Sequence, residues 1–314
     1  MKFFLLIFLL LTATARGKDC TNAECRLFVI SDLNGSYGST SYAQEVVDAI
    51  EYIKQQKADL VISTGDHVAG QKRGLNYQSM WDSFHQVVTW PLKQADIAFL
   101  PSPGNHDASN GSAFHLERKI YRHNFSTKPT GIKFFDSSDY PIKYAYEFGG
   151  AFFISLDATN VYLEKKQIEW LEKMLIQGQK YKSIILYGHV PLFPVAQKRE
   201  NDYLRNNNLF ELIKRYNVKM WISGHHHAYF PGKKDGIKFY SLNCLGGGPR
   251  KLLAPNQQER SPKGIIELKI RNGEIIFAES YAINNDFSVI KKESLPKEVG
   301  IIGKKISLDI EESL

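Results

Sequence analysis

The chain has 314 residues, 43% of them hydrophobic and 23% charged, with a formal net charge of +7. These values fit a globular protein with a sizeable core, built as one large domain or two small ones. The basic balance favours anionic partners, but no dense Lys/Arg block with interleaved aromatics occurs, which argues against nucleic acid as the main partner.

The first element is a leader. "MKFFLLIFLLLTATARG" has a positive start, an apolar run from Phe3 to Leu11 and then small residues, the layout of a signal peptide over residues 1–17 with Ala13-Thr14-Ala15 as the cleavage site. A membrane span needs about 20 apolar residues, and no segment of this chain is that long. The expectation is an exported protein, secreted or periplasmic, without a membrane span. Cys20 and Cys25 are placed to close a small disulfide loop, leaving Cys244 over at a strand end.

The next elements alternate. "RLFVIS" (26–31) reads as a buried strand, "SYAQEVVDAIEYIKQQ" (41–56) as a helix and "DLVIST" (59–64) as a strand. A helical stretch from Tyr77 to Val88 is expected to stop near Pro91, before the strand "IAFLP" (97–101). This βαβαβ order predicts a largely parallel sheet with helices on its faces. "YAYEFGGAFFISLD" (144–157) predicts a hairpin turning at Gly149-Gly150. "EKKQIEWLEKMLIQG" (164–178) is an amphipathic helix expected to close at Gly178. Strand, helix and strand follow at 183–188, 208–216 and 218–223. From residue 236 strand follows strand, with "RNGE" (271–274) as a hairpin signal. Residues 20–285 are expected to form one domain, and 286–314, weakly patterned, a loosely attached tail.

Several strands end in residues that can bind metal. "FVISD" ends in Asp32, "VISTGD" in Asp66 and "ILYGH" in His189; "FLPSPGNHD" delivers Asn105, His106 and Asp107, and "WISGHHH" the triplet His225, His226 and His227. In open α/β sheets ligands bind beyond the carboxyl ends of the strands. A lone strand-end Asp is usually a helix cap or turn former, but donors at five converging strand ends predict a shared site. If the triplet is extended, alternate side chains point to opposite sides. His225 and His227 then face one way, with His226 a bystander or a support.

In order, Asp32, "GD" at 65–66, "GNHD" at 104–107, "GH" at 188–189 and "GHHH" at 224–227 resemble the motif set of calcineurin-like metallophosphoesterases, over roughly residues 26–245. The resemblance implies an α/β fold: a two-sheet β-sandwich flanked by helices, four layers in the order αββα, with the strand-rich C-terminal third supplying the second sheet. It implies two transition-metal ions, of Fe, Mn or Zn, with Asp66 bridging them. One ion would also take Asp32 and His227, and the other Asn105, His189 and His225. His106 would face the substrate, as proton donor or charge stabiliser. The implied activity is hydrolysis of phosphate monoesters or diesters by a metal-bridging hydroxide. The alternative is a catalytically weak or inactive protein that keeps the fold and binds metal or phosphate.

The first motif departs from the family pattern, since Asn34 stands where a histidine is common. Asn34, water or His67 would complete that ion; His67, directly after Asp66, would most simply point away. Asp107 is a candidate to orient a ligating imidazole, or a turn or cap. The expected partner is a small phosphorylated substrate, with Arg199 and Arg250 in adjacent loops as candidate phosphate contacts. Tyr37 could stack on a substrate ring or pack locally.

Overall fold

The structure is a computed structural model in which residues 24–284 and 286–310 are described. The expected leader and Cys20, half of the suggested disulfide loop, lie outside these residues. The first parallel unit forms as the alternation implies. β1 (Cys25–Ile30), β2 (Leu60–Ser63) and β3 (Ala98–Pro101) lie side by side in parallel, joined by α1 (Gln44–Gln55) and by α2 (Tyr77–Phe84) with α3 (Trp90–Gln94). The helical stretch does not end before Pro91. A π turn (His85–Thr89) joins α2 to α3, which carries Pro91 in its first turn. A proline tolerates that place because its missing N–H is not needed there.

Short α4 (Asn105–Ala108) and α5 (His115–Asn124) follow, then β4 (Lys133–Asp139), which the sequence pattern did not reveal. β5 (Lys143–Phe148) and β6 (Ala151–Ser155) form the expected hairpin, and Gly149 and Gly150 both have positive φ, 59° and 77°. α6 (Lys165–Gly178), β7 (Ile184–Gly188), α7 (Leu209–Arg215) and β8 (Met220–Ser223) continue the alternation. Gly178 is not a left-handed cap: the cap residue Gln179 is right-handed, and a Cβ on Gly178 would come within 2.8 Å of Ile184. Its small size lets α6 pack closely on the sheet.

The remaining strands are β9 (Phe230–Lys234), β10 (Ile237–Ser241), β11 (Gly264–Arg271), β12 (Glu274–Ala282), β13 (Ser288–Val289), β14 (Glu298–Ile301) and β15 (Lys304–Leu308). They divide between two sheets. One has the order β13-β12-β11-β1-β2-β3, and the other β14-β15-β9-β10-β8-β7-β6-β5-β4. Both sheets are mixed: the first is parallel from β1 to the β3 edge and antiparallel from β1 to β13, and the second has a parallel centre with antiparallel strands on either side. The C-terminal third therefore does not supply the second sheet alone; β11 to β13 extend the first sheet through β1. Residues 286–310 are not a loose tail either. β15 pairs with β9, and Val299 and Ile306 are buried in the core.

The strands read as continuous apolar runs because both faces are covered. Along β1, Leu27 and Val29 point between the sheets while Phe28 and Ile30 face α1. Along β7, Ile185 and Tyr187 point between the sheets while Ile184 and Leu186 face the helices opposite. Each such side chain contributes about 1.5–3 kcal/mol by leaving water. Tyrosines between the sheets satisfy their hydroxyls: Tyr187 donates to Tyr144 at 2.9 Å, and Tyr144 to the Pro101 carbonyl at 2.6 Å. The result is the four-layer αββα sandwich.

Candidate metal centre

Three strand ends of the first sheet and two of the second meet at one rim. Asp32 follows β1, and its N–H donates to the Gly65 carbonyl at 3.0 Å, while the next N–H groups, of Leu33 and Asn34, donate to the Asp66 carbonyl. The loops after β1 and β2 are thereby zipped together. Asp32, Asp66, His225 and His227 all have left-handed backbones, with φ of 52°, 56°, 64° and 52°. Such conformations cost about 1–3 kcal/mol each and cluster at functional sites. Close approach depends on glycine: a Cβ on Gly104 would sit 2.1 Å from the Asp66 nitrogen, and one on Gly224 2.0 Å from Ser31 Oγ.

Hydrogen bonds fix which atoms face inward. His189 Nδ1 lies 2.9 Å from the Thr64 carbonyl, so that nitrogen carries the proton and donates. In the neutral ring Nε2 is then a bare lone pair. Around it stand Asn105 Oδ1 at 2.9 Å, His225 Nδ1 at 3.2 Å and Asp66 Oδ2 at 3.3 Å. Asp66 Oδ1 is already used, accepting the His106 N–H at 2.8 Å. Asp32 Oδ2 accepts from Ser31 Oγ and the His225 N–H, leaving Oδ1 to face His227 Nε2 at 3.1 Å and His189 Nε2 at 4.0 Å. His227 Nδ1 donates to the Gly248 carbonyl at 3.1 Å. Asp32, Asp66 and His189 offer ligand atoms that all lie within 4.8 Å of one another and are buried.

The donor set fits a cation. Lone pairs crowd one point, and a proton there serves only one or two of them, whereas a metal ion takes all. Charge bears this out. Burial alone would raise the Asp32 carboxyl, but the His227 charge outweighs it and brings the group down to about 2. Burial is likewise overcome at Asp66, which His189 and His106 hold well below the usual carboxylate range. Burial would lower His189, yet the Asp66 charge lifts it to about 9. Without metal, protons do the work of positive charge between these carboxylates. His225, by contrast, is pushed down to about 4 by burial and stays neutral.

The structure brings together Asp32, Asp66, Asn105, His189, His225 and His227, as the strand ends predicted. His106 flanks them. Its Nδ1 lies 3.2 Å from the Gly70 carbonyl and its ring 5.4 Å from that of Tyr37, which is exposed beside it. Asn34 adjoins the centre through its backbone: its N–H meets the Asp66 carbonyl at 3.2 Å and its carbonyl the Gly247 N–H at 3.0 Å. His226 turns away as a structural residue, accepting the Val195 N–H at Nδ1 and donating from Nε2 to the Asp202 carbonyl. His67 also turns away, into an aromatic nest of Trp81, Phe84, Phe99, Tyr121 and Phe125. There it pairs with Asp107. Asp107 thus does not orient a ligating imidazole; it accepts the N–H groups of His67 and Gly104 and ties the two motif loops together.

The supports of the ligands are mostly invisible to motif reading: the Thr64 and Gly248 carbonyls, Ser31, and Asp202, whose Oδ2 faces His225 Nε2 at 3.8 Å. Arg199 bonds the same Asp202 oxygen at 2.5 Å, and Arg250 donates its backbone N–H to the His227 carbonyl at 3.0 Å. A cavity of about 420 Å³, lined by His85, Trp90, Lys93 and Phe125 among others, includes none of the candidate ligands.

Known proteins place this arrangement. Structural similarity extends to the purple acid phosphatase PPD1 from yellow lupin, at 16% identity and TM-score 0.65, covering 88% of this chain and 54% of that one. A dimetal phosphatase from Danio rerio gives 15% identity and TM-score 0.56, over 82% and 95% of the two chains. GAP50, described as the anchor in the inner membrane complex of Plasmodium, gives 15% and 0.56 over 92% and 90%. At these identities the likeness speaks for the fold alone. A curated relative, the serine/threonine-protein phosphatase CPPED1 of Danio rerio, is 30% identical over 84 residues, which span 24% of this chain and only 27% of that protein. The sequence profile of calcineurin-like phosphoesterases, however, matches residues 25–229. Since that stretch runs from the first strand through the whole histidine triplet, the chain belongs to the calcineurin-like phosphoesterase family.

Proposed function

We propose that the protein is a metal-dependent phosphoesterase with two transition-metal ions at the rim of the sandwich. The observation that carries this reading is the convergence of Asp66 Oδ2, Asn105 Oδ1 and His225 Nδ1 on Nε2 of His189. Asp66 and Asn105 with His189 and His225 would hold one ion; Asp32 and His227, with Asp66 shared, would hold the other. Mixed oxygen and nitrogen donors suit Fe, Mn or Zn rather than Ca or Mg. The ions would supply an activated water and charge neutralisation for the phosphoryl group.

The chain's own residues do the rest. His106 donates Nδ1–H to the Gly70 carbonyl, so in its imidazolium form the Nε2–H would be the proton given to the leaving oxygen, with neutral imidazole left behind. The Thr64 and Gly248 carbonyls hold the Nδ1–H of His189 and His227, so that Nε2 of each ring is the nitrogen that would turn to an ion. Tyr37 offers an exposed ring face beside His106 to the organic part of the substrate.

The test is made on one preparation: bound metal by elemental analysis, then turnover of a chromogenic phosphate monoester and diester with Mn, Fe or Zn added. His106→Ala is expected to lower kcat about 10²–10⁴-fold with metal content kept, whereas Asp66→Ala loses both. Equal metal loss in the two variants overturns the role of His106. Metal bound without turnover of either ester favours the second reading, a protein that keeps the centre without catalysis, for which the replacement of the usual histidine by Asn34 speaks.

A further inference from the structure

Two half-buried arginines stand beside the centre with unused donors. Arg199 lies in the loop after β7 and Arg250 in the loop after β10. The loops are bound into a short antiparallel ladder: Ala196 bridges Leu252, the Gln197 N–H donates to the Lys251 carbonyl at 2.9 Å, and the Leu253 N–H to the Val195 carbonyl at 2.8 Å. A turn at Lys198, with φ 65°, brings Arg199 back so that its N–H meets the Ala196 carbonyl. Arg250 is fixed at both sides of its backbone, by the His227 carbonyl and by the Ser261 N–H.

Both guanidinium Nε groups are buried and, among the described residues, have no hydrogen-bond partner. A buried donor left unpaired is costly, and a charged one more so. The like charges also oppose each other: burial first, and then the Arg199 charge, draw Arg250 below the ordinary arginine value. The carboxylate nearest them, Asp202, gives the same Oδ2 to Arg199 and to His225. A pair of planar forks with spare N–H groups, carried on loops tied together by their backbones, is suited to binding phosphate.

We propose that Arg199 and Arg250 form an anion subsite on the His225–His227 flank of the centre, which holds a second phosphate group of the substrate. The preferred substrate is therefore a phosphate ester carrying a further phosphate. This deepens the phosphoesterase reading and rests on it. The second phosphate, and not the one being cleaved, is assigned to the pair because Asp202 Oδ2 stands between Arg199 Nη1 at 2.5 Å and His225 Nε2 at 3.8 Å. The Asp202 carboxylate thus lies between the Arg199 fork and the His225 ring.

The test has a binding arm and a kinetic arm. Inorganic pyrophosphate is titrated calorimetrically into chelator-treated protein at low salt. Arg199→Met and Arg250→Met are each expected to weaken binding about tenfold or more, since each loses a charge-assisted contact. Arg250→Lys, which keeps the charge, recovers part of the loss, and Arg215→Met, on the exposed face of α7, changes nothing. Melting curves identify any variant that fails to fold; Arg250→Lys then carries the comparison. Absent binding, or equal affinity in all variants, overturns the subsite. In the kinetic arm, phosphate release is followed from alkanediol bisphosphates of two to six carbons and from the matching alkyl monophosphates. Arg250→Met is expected to lower kcat/KM for the bisphosphates about tenfold more than for the monophosphates. Equal losses place the pair on the cleaved phosphoryl group and overturn the proposal. No turnover of either series defeats the phosphoesterase reading, while the pyrophosphate titration still decides whether the arginines form an anion site.

Discussion

One oxygen of Asp202 faces both Arg199, at 2.5 Å, and the His225 ring, at 3.8 Å, and hydrogen bonding to His225 first, then the Arg199 contact, holds its carboxyl well below the usual carboxylate range. His225 offers Nδ1 to the centre and turns Nε2 toward this carboxylate, so Asp202 fixes the angle of a candidate ligand without itself reaching the centre. Supports of this kind are worth about 10–100-fold in metal affinity. Asp202→Asn is therefore expected to weaken metal binding about tenfold or more, read by competition with a chromogenic chelator, while Asp107→Asn, remote from any ligand ring, acts on stability instead. Equal metal affinity in Asp202→Asn and the parent would dismiss the support role. The candidate ligands are legible because each of Asp32, Asp66, Asn105 and His189 sits at the end of an apolar run, and the strand's carboxyl end carries it to the rim. Asp202 was not legible, since nothing in "RENDYLR" marks the one acid whose partner lies in another loop. The triplet was read correctly in outcome but not in cause. His225 and His227 face the centre with left-handed backbones, not as alternate residues of an extended strand.

Among the elements, the best-read were those buried on both faces. β1, β2, β7 and β8 are short apolar runs bounded by turns, and the structure places them close to where the pattern did. β14, the edge strand, and β15 beside it escaped because they show little of a core face: in "EVGI" and "KKISL" only Val299 and Ile306 are buried. They are nonetheless fixed parts of the second sheet. A Cβ on Gly232 of β9 would fall 2.4 Å from Ile306, which measures how closely β15 packs there. Ile306→Ala is expected to cost about 3 kcal/mol, seen as a lower urea midpoint with an unchanged slope and intact metal content. A change near zero would mean that the terminal strands detach freely. The π turn before Pro91 was illegible for another reason. Proline forbids an ordinary helix interior, and sequence does not tell whether the chain stops or widens to admit it.

Across the whole molecule, the centre draws Asp32, Asp66 and Asn105 from the first sheet and His189, His225 and His227 from the second. An ion held by both is a clasp across the sandwich, binding the folded form and not the unfolded one. At a free metal concentration about a hundredfold above Kd, such linkage stabilises by about 2.7 kcal/mol. Removing metal with a chelator is expected to lower Tm by about 4 °C, in one transition; an unchanged Tm would show that the rim is not bridged. The motif order revealed which residues meet, and the resemblance supplied the layers. How the C-terminal strands divide between two sheets was beyond both, because strand pairing depends on contacts between residues far apart in the chain.

That division has a consequence during synthesis. Cys25 pairs with Ile270, and the pairing continues to Val29 with Ile266. When β1 leaves the ribosome its partner on that side is still more than two hundred residues away. The nascent polypeptide therefore carries an open, apolar edge through most of translation. Pairings so remote fold slowly, so this edge stays unpaired until the last third of the polypeptide has been made.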